Sequence, residues 1–260
     1  MIQLVEGSQA EEMFFDLCRG SAFGCKLAAC AGAYGFQLPF ARFWLGSGCA
    51  FGLLDGALVL TGHPVDWAEV QAFLGSLGPE LLCCREDFAS PLGLRIKNQG
   101  PVLGKELSGK SGSGAVVSQE PLRLELVHRL LVQCGMAGPW EPFYLDLSHR
   151  LRHDGALVLR EYREGRLAGC ALALLAGEEA LLSALAVEEE FRGQGMGSRL
   201  VARMETALAG RKLYVLRQTG RNREFYRRLG YREEDRWAEG KTLGRWQGRG
   251  AVSPAGSVGA

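Results

Sequence analysis

A glycine-rich turn between an apolar strand and a helix constrains the fold of this chain more than any other feature. Residues 180–200 read ALLSALAVEEEFRGQGMGSRL. The apolar run 180–187 predicts a buried strand, and Leu200, Val201 and Met204 predict one face of an amphipathic helix. A helix N-terminus presents unpaired N–H groups and a partial positive charge, and glycines let the backbone approach an anion closely. The segment therefore predicts a phosphate-binding turn in an α/β protein.

Two familiar nucleotide-binding motifs do not match this turn. A Walker loop requires a lysine directly after its last glycine, and none is present here. A Rossmann turn requires the spacing GxGxxG and an acidic residue at the end of the next strand. Here the spacing is RxxGxG, and the next predicted strand ends in Arg217 and Gln218.

The segment 192–197, RGQGMG, resembles the Q/R-x-x-G-x-G/A signature of the GNAT superfamily of N-acetyltransferases. Three features in register strengthen the resemblance. The strand 185–187 precedes the signature, a helix follows it, and the segment 222–231, NREFYRRLGY, is similar to the family's Asn…FY…LGY/F helix. The resemblance extends over roughly residues 120–245 and implies an α/β fold with a mixed α+β sheet.

The resemblance also implies an acyl-CoA site and no metal site. The amides of 192–197, with Ser198, would hold the CoA pyrophosphate, and the backbone of 185–187 would pair with the pantetheine arm. The Val187 amide would stabilise the oxyanion of the thioester, Asn222 would contact the pantetheine, and Tyr226 would face the sulfur. The residues implied to bind the co-substrate are Leu185, Ala186, Val187, Arg192, Gly193, Gln194, Gly195, Met196, Gly197, Ser198, Asn222 and Tyr226.

Tyr226 also has a chemical argument of its own. Phe225 and Leu229, four residues apart, predict the buried stripe of the helix, with Tyr226 about 100° away. A phenol has a reference pKa of about 10, so it is protonated at neutral pH and can donate to a departing thiolate. The alternative is a tyrosine that only anchors the helix. With Tyr226 as acid and Val187 as oxyanion donor, a neutral amine would attack the thioester directly.

The base and the acceptor-binding residues are less clearly indicated. The glutamates 188–190 follow the strand and either supply a base or form a solvated turn before the helix. Asp146 and His149 would bind the acceptor or relay its proton, or else cap a helix and form surface ion pairs. The arginines within 221–228 would contact the CoA 3′-phosphate or form a solvated helix face.

Composition changes suggest two halves. The stretch 104–118, GKELSGKSGSGAVVS, predicts a flexible linker, and the Gly/Ala/Ser-rich stretch 248–260 predicts a disordered tail. The predicted domains are therefore 1–103 and 119–247. Both contain a hairpin, a helix and a strand in the same order, offset by about 130 residues, which favours an internal duplication over two unrelated domains.

The first half lacks the RxxGxG pattern. Its equivalent junction, TGHPVD at 61–66, contains a proline and a single glycine. This predicts a degenerate GNAT-like half that has lost CoA binding and walls the acceptor site, as in tandem members of the superfamily. At the C-terminal end of the second half, the segment 231–246 is long enough for one full strand and only a short strand to pair with it.

Composition limits the partners and the compartment. With 30 basic and 29 acidic residues, the chain has no overall field that favours nucleic acid or an anionic membrane. Eight cysteines without zinc-ligand spacing predict reduced thiols in a cytoplasmic protein. No signal peptide and no apolar run of about 20 residues is recognised, so a soluble protein is expected. A homodimer is left open.

The predicted function is transfer of an acetyl or longer acyl group from acyl-CoA to a primary amine of a small molecule, amino acid or peptide. A protein-lysine acetyltransferase is the second enzymatic hypothesis. A non-catalytic acyl-CoA sensor is a third, which the presence of both Asn222 and Tyr226 argues against because a pure binder needs no acid at the thiol.

Overall fold

A computed structural model describes residues 1–54, 56–109 and 122–242. Asp55, most of the predicted linker and the whole predicted tail lie outside these residues. The described strands are β1 (Gln3–Leu4), β2 (Ala41–Gly46), β3 (Cys49–Leu54), β4 (Ala57–Gly62), β5 (Leu81–Arg85), β6 (Leu94–Glu106), β7 (Ala156–Arg163), β8 (Arg166–Ala176), β9 (Glu179–Val187), β10 (Lys212–Leu216) and β11 (Arg232–Thr242). The helices are α1 (Ser8–Cys18), α2 (Ala22–Tyr34), α3 (Trp67–Leu77), α4 (Leu124–Gln133), α5 (Trp140–Arg152), α6 (Met196–Ala207) and α7 (Arg223–Arg228).

The described strands form one mixed sheet in which each half repeats the same pattern. In the first half β2, β3 and β4 are antiparallel neighbours, and β5 returns parallel to β4 after α3. In the second half β7, β8 and β9 are antiparallel, and β10 returns parallel to β9 after α6. The prediction of a mixed α/β sheet is confirmed, and the repeated order agrees with an internal duplication.

The two halves exchange their last strands. The order at the centre of the sheet is β5-β11-β6-β10. β6 of the first half pairs with β10 of the second, 102–106 against 212–216, while β11 of the second half pairs with β5 of the first. β6 and β11 also pair with each other. Each half therefore completes the sheet of the other.

This exchange explains why the end of the second half has room for only one full strand. Its described end is one long strand, β11, and the neighbour of β11 is β6 from the first half rather than a short local partner. β6 continues to Glu106, three residues into the range predicted as a linker. The domain bounds given above remain a prediction.

Helices cover both faces of the sheet. On β10, Leu213 and Val215 pack into the core beneath α6, whereas Tyr214 between them packs against α1 and α2 on the opposite face. This alternation is the normal consequence of the strand pleat. The face with α1 and α2 also carries α4 and α5, and the other face carries α3, α6 and α7. No helix in the three described ranges is long and apolar enough to span a membrane.

Gly100 of the exchanged strand β6 lies directly against the backbone of Arg217. A Cβ atom at Gly100 would lie 1.9 Å from the carbonyl oxygen of Arg217. Because the obstacle is backbone, Gly100→Ala is expected to lower the free energy of unfolding by about 1–3 kcal/mol. Gly32→Ala is the matched control, since Gly32 lies in α2 with no neighbouring atom within 4 Å.

Urea unfolding of both variants measures this difference. Alanine is favoured over glycine in a helix interior by about 1 kcal/mol, so Gly32→Ala should be neutral or stabilising. Equal midpoints for the two variants would contradict the crowded contact between β6 and Arg217.

Candidate active site

A slot opens between β9 and β10. The two strands pair in parallel only over 179–182 and 212–215. Beyond that point β9 continues beside β8 with Ser183 as an extra, bulged residue. The chain after β10 instead follows β6, since the amides of Arg217 and Thr219 donate to Pro101 and Gln99. The backbone of 184–187 therefore lines one side of a gap in the sheet.

The Val187 amide points into this slot. The neighbouring Glu188 amide donates to the Ala168 carbonyl of β8, at 2.8 Å. Amide directions alternate along a strand, so the Val187 N–H is directed away from β8 and toward the gap. The Val187 carbonyl, on the same side, accepts from Nε of Arg192 at 3.0 Å. The slot therefore contains an N–H donor that bonds to no other described residue, beside the guanidinium of Arg192.

The glycine-rich turn lies directly beside the slot. Gly193 and Gly195 have φ values of 75° and 77°, a conformation that side chains with a Cβ rarely adopt. Gly195 is the N-cap of α6 and supplies no side-chain cap. The first bond of the helix joins the Arg199 amide to the Gly195 carbonyl, so the amides of 196–198 have no acceptor within the helix. They form a set of donors suited to an anion.

Side chains around the turn hold it in shape. The Gln194 amide group donates to the Glu190 carbonyl at 2.9 Å. Arg199 donates to the Gln194 carbonyl at 3.1 Å and forms an ion pair with Glu161 at 2.7 Å. These bonds join the turn to the segment before it and to the helix after it, and Arg199 also joins that helix to β7.

The equivalent helix of the first half is closed to an anion. Asp66 caps α3, and its carboxylate accepts from the amides of Ala68 and Glu69 at 2.9 Å and 3.1 Å. A fixed carboxylate therefore occupies the donors that α6 leaves free. This contrast supports the hypothesis that the first half has lost CoA binding.

Tyr226 is the buried member of α7. It is 7% exposed and packs edge-on against Phe225 and Tyr231, whereas Phe225 and Leu229 are only half-buried. The predicted stripe through Phe225 and Leu229 was therefore wrong, because the Tyr226 and Tyr231 rings pack together beneath this short helix. Burial raises the pKa of Tyr226 to about 12, opposed by the nearby charge of Arg217. The phenol makes no hydrogen bond with another described residue, so its proton is available for donation.

Asn222 begins α7 in a left-handed conformation, with φ 53° and ψ 23°. Asparagine tolerates this region better than most residues. Its carbonyl accepts from the Tyr226 amide at 3.2 Å, while its side chain makes no capping bond. The Asn222 amide is therefore exposed beside the helix that carries Tyr226.

Comparison with known proteins identifies the fold. A family model described as an acetyltransferase (GNAT) domain matches residues 153–233, which include the slot, the turn and α7. Residues 153–233 therefore form a GNAT domain. The sequence-based recognition of this superfamily is confirmed.

Solved structures extend the likeness to nearly the whole chain. A GCN5-related N-acetyltransferase from Sphaerobacter thermophilus matches 92% of this chain and 94% of its own, with TM-score 0.58 and 14% identity. A GCN5-related N-acetyltransferase from Kribbella flavida matches 85% and 95%, with TM-score 0.57 and 16% identity. A tandem GNAT protein from the clavulanic acid biosynthesis pathway matches 92% and 97%, with TM-score 0.52 and 16% identity. At these identities the likeness shows only that this chain and the three solved proteins share a fold.

Glu188 follows directly after the GNAT strand β9. One of its carboxylate oxygens lies 3.6 Å from Arg166, while the other is buried without a hydrogen-bond partner. Glu190 also pairs with Arg166, and both Glu189 and Glu190 are exposed. Of the three glutamates, Glu188 alone has a buried carboxylate oxygen without a partner among the described residues, and its backbone directly follows the slot-lining end of β9.

Asp146 and His149 contact the first half of the chain. Asp146 accepts from the Tyr34 hydroxyl at 2.6 Å and from Arg150 at 2.8 Å. His149 stacks on the Tyr34 ring and bonds to the Ala33 carbonyl at 2.7 Å. Both side chains therefore join α5 to α2, and an acceptor-binding role for them stays a prediction.

Arg217 was not singled out from the sequence. It follows the apolar strand KLYVL, is 9% exposed, and lies close enough to Tyr226 to affect its pKa. The only signal in the sequence was a charged residue at the end of a buried strand.

Proposed function

We propose that this GNAT protein is an acyl-CoA-dependent N-acyltransferase. It transfers an acetyl or related acyl group to a primary amine of a small molecule, an amino acid or a peptide. One observation carries the proposal: the strands β9 and β10 separate directly beside a turn with two left-handed glycines and an uncapped helix N-terminus. A long ligand with a phosphate group and a slender arm fits this arrangement.

The described residues fit acyl-CoA. The pyrophosphate would lie on the turn 192–197, where the amides of 196–198 lack intrahelical acceptors. Ser198, in the first turn of α6, would add a hydroxyl donor. The pantetheine arm would pair with the slot-facing edge of β9 at 185–187, where Arg192 bonds to the Val187 carbonyl, with Asn222 on the other side of the arm. When bound, the co-substrate supplies the activated acyl group.

The geometry favours direct attack by a neutral amine. The Val187 N–H, directed into the slot, would stabilise the negative charge that develops on the thioester oxygen. Tyr226, protonated at neutral pH, would give its proton to the departing sulfur. No covalent enzyme intermediate is required, because the amine itself is the nucleophile that displaces the thiolate.

Glu188 is the proposed base. Its buried, unpartnered oxygen lies one residue beyond the oxyanion donor, within the segment that must meet the attacking amine. The unpartnered oxygen of this carboxylate, whose other oxygen lies 3.6 Å from Arg166, would accept the proton that the amine loses. Glu188→Gln is expected to lower kcat/KM about a hundredfold at pH 7, the lower range for general-base catalysis.

This loss should shrink as the pH rises, because a larger fraction of the acceptor amine is then neutral without help. Glu178→Gln, which alters an exposed glutamate in the β8–β9 turn, is the control and should retain wild-type kcat/KM. A pH-independent loss, or equal effects in both variants, would contradict the assignment.

Release of free CoA thiol in the presence of a panel of amines tests the function itself. Amine-dependent release, with a mass increase of the amine that matches the acyl group, supports the proposal. Tight binding of acetyl-CoA without release by any amine would instead favour an acyl-CoA sensor.

The proposed compartment is the cytoplasm. All eight cysteines are free, and seven of them are buried. Reduced thiols of this kind are usual in a reducing compartment.

A further inference from the structure

Arg217 is a buried cation without an anionic partner among the described residues. One of its terminal nitrogens donates to the carbonyls of Gln218 and Arg221, at 3.2 Å and 2.7 Å. Its Nε is buried without an acceptor, and the residue is 9% exposed. Arg150, in contrast, is 3% exposed and forms an ion pair with Asp146 at 2.8 Å. Buried charges are usually paired, so the site of Arg217 is suited to an anion that a ligand or a reaction supplies.

The backbone of Arg217 is fixed by the exchanged strands. Its amide donates to Pro101 of β6 at 3.1 Å, and its carbonyl accepts from Nε1 of Trp237 of β11 at 3.1 Å. Gly100 provides the space that this carbonyl needs. The guanidinium is therefore presented from a rigid position at the mouth of the slot.

The side chain is directed toward α7. Leu213 and Val215 pack in the same core as Tyr226, and residue 217 continues their side of the strand by the period of two. The Arg221 carbonyl that Arg217 holds belongs to the residue before Asn222, the N-cap of α7. The charge of Arg217 also acts on the Tyr226 phenol and lowers its pKa against the effect of burial. Arg217 therefore affects the proposed acid in two ways. Its hydrogen bond holds the residue before α7, and its charge lowers the pKa of Tyr226.

We infer, on the basis of the proposed acyl transfer, that Arg217 is a positioning residue for the leaving group. It holds α7 and Tyr226 at the slot and stabilises the negative charge shared by the CoA sulfur and the Tyr226 oxygen as the C–S bond breaks.

The step balances without a further reagent. The amine nitrogen forms a bond to the carbonyl carbon, the C–S electron pair moves to sulfur, and the proton of Tyr226 passes to sulfur. The proton that the amine loses returns to the Tyr226 oxygen through the base or solvent. Arg217 stays protonated throughout, because a guanidinium does not lose its proton in proteins.

The ultraviolet absorbance of the thiolate of bound CoA, titrated against pH, tests this inference on the full chain. A neighbouring cation typically lowers the pKa of an acid by one unit or more. In Arg217→Gln the pKa of the bound thiol is therefore expected to rise by about one unit, with Arg217→Lys between wild type and Gln. Arg211→Gln, which removes the same charge at the opposite end of β10, should leave the thiol pKa unchanged.

Kinetics provide the second readout. Arg217→Gln is expected to lower kcat about ten- to a hundredfold and to change the KM for acetyl-CoA by less than about threefold, since one charge in the transition state is affected. An unchanged thiol pKa in a Gln variant that still binds CoA by calorimetry would overturn the inference and leave the proposed function intact. Failure of the wild type to bind CoA would overturn both.

Discussion

A fragment of residues 119–247 is expected not to fold on its own, although it contains the whole matched GNAT domain. Without the first half, β10 loses its neighbour β6, and β11 loses both β5 and β6. The apolar side chains of Leu174, Leu181 and Tyr214 also lose the cover of α1 and α2. Unpaired strand edges and exposed core of this extent favour aggregation over folding. Circular dichroism on heating should show no cooperative transition.

Two fragments expressed together provide the control. Residues 1–109 and 122–260 between them retain every strand pairing described above, so they are expected to co-purify and to unfold as one unit. A fragment 119–247 that unfolds cooperatively and binds acetyl-CoA alone would contradict the importance of the exchange.

Tyr226→Phe is expected to lower kcat about a hundred- to ten-thousandfold, the range for removal of a positioned general acid. The phenol makes no hydrogen bond with another described residue, so the substitution should leave the fold and the KM for acetyl-CoA nearly unchanged. The raised pKa, about 12, also sets a pH signature. Because the group stays protonated below its pKa, wild-type activity should not fall between about pH 7 and pH 9 through loss of this proton.

Tyr231→Phe is the matched control, since it removes the same hydroxyl from the ring that packs 5.5 Å from Tyr226. Thiol release at saturating acetyl-CoA should be close to wild type in this variant. A Tyr226→Phe enzyme within about threefold of wild type would mean that the tyrosine only anchors α7 and that the thiolate leaves without its acid.

Local signals in the sequence were sufficient to predict the strand, glycine-rich turn and helix that form the proposed phosphate site. Short-range patterns encode these three elements. The spacing of apolar residues predicts β9 and α6, and the glycines Gly193 and Gly195 predict the turn between them. The two positive φ values at those glycines are the conformations for which glycine was needed. The repeated element order could be read from the same local patterns.

The exchange of β6 and β11 could not be predicted in this way, because strand partners far apart in sequence leave no local signal. Gly104 illustrates the difficulty. The composition of 104–118 predicted a linker that begins at Gly104, yet a Cβ atom at Gly104 would lie 2.3 Å from the carboxyl carbon of Glu234 on β11. Gly104 lies within β6 and pairs with Tyr214 and Arg232, so it belongs to the sheet rather than to a linker. The contacts of Asp146 and His149 with α2, and the backbone bond of Arg217 to β6, depend on packing between the halves in the same way.

Thermal stability with increasing acetyl-CoA tests the central claim, the placement of CoA on the turn 192–197, most directly. The proteins to compare are wild type, Gly195→Trp, and Gly177→Trp as a control. Both glycines have positive φ, so both substitutions strain the backbone, but Gly177 lies in the β8–β9 turn away from the slot.

A ligand that binds only the folded state stabilises it by RT ln(1 + [L]/Kd), about 2.7 kcal/mol at a hundredfold excess over Kd. Wild type and Gly177→Trp should show a dose-dependent rise in Tm, and Gly195→Trp should show none while its unliganded protein still unfolds cooperatively. An equal rise in all three proteins, or no rise in wild type with acetyl-CoA or longer acyl-CoAs, would contradict the placement of CoA on this turn.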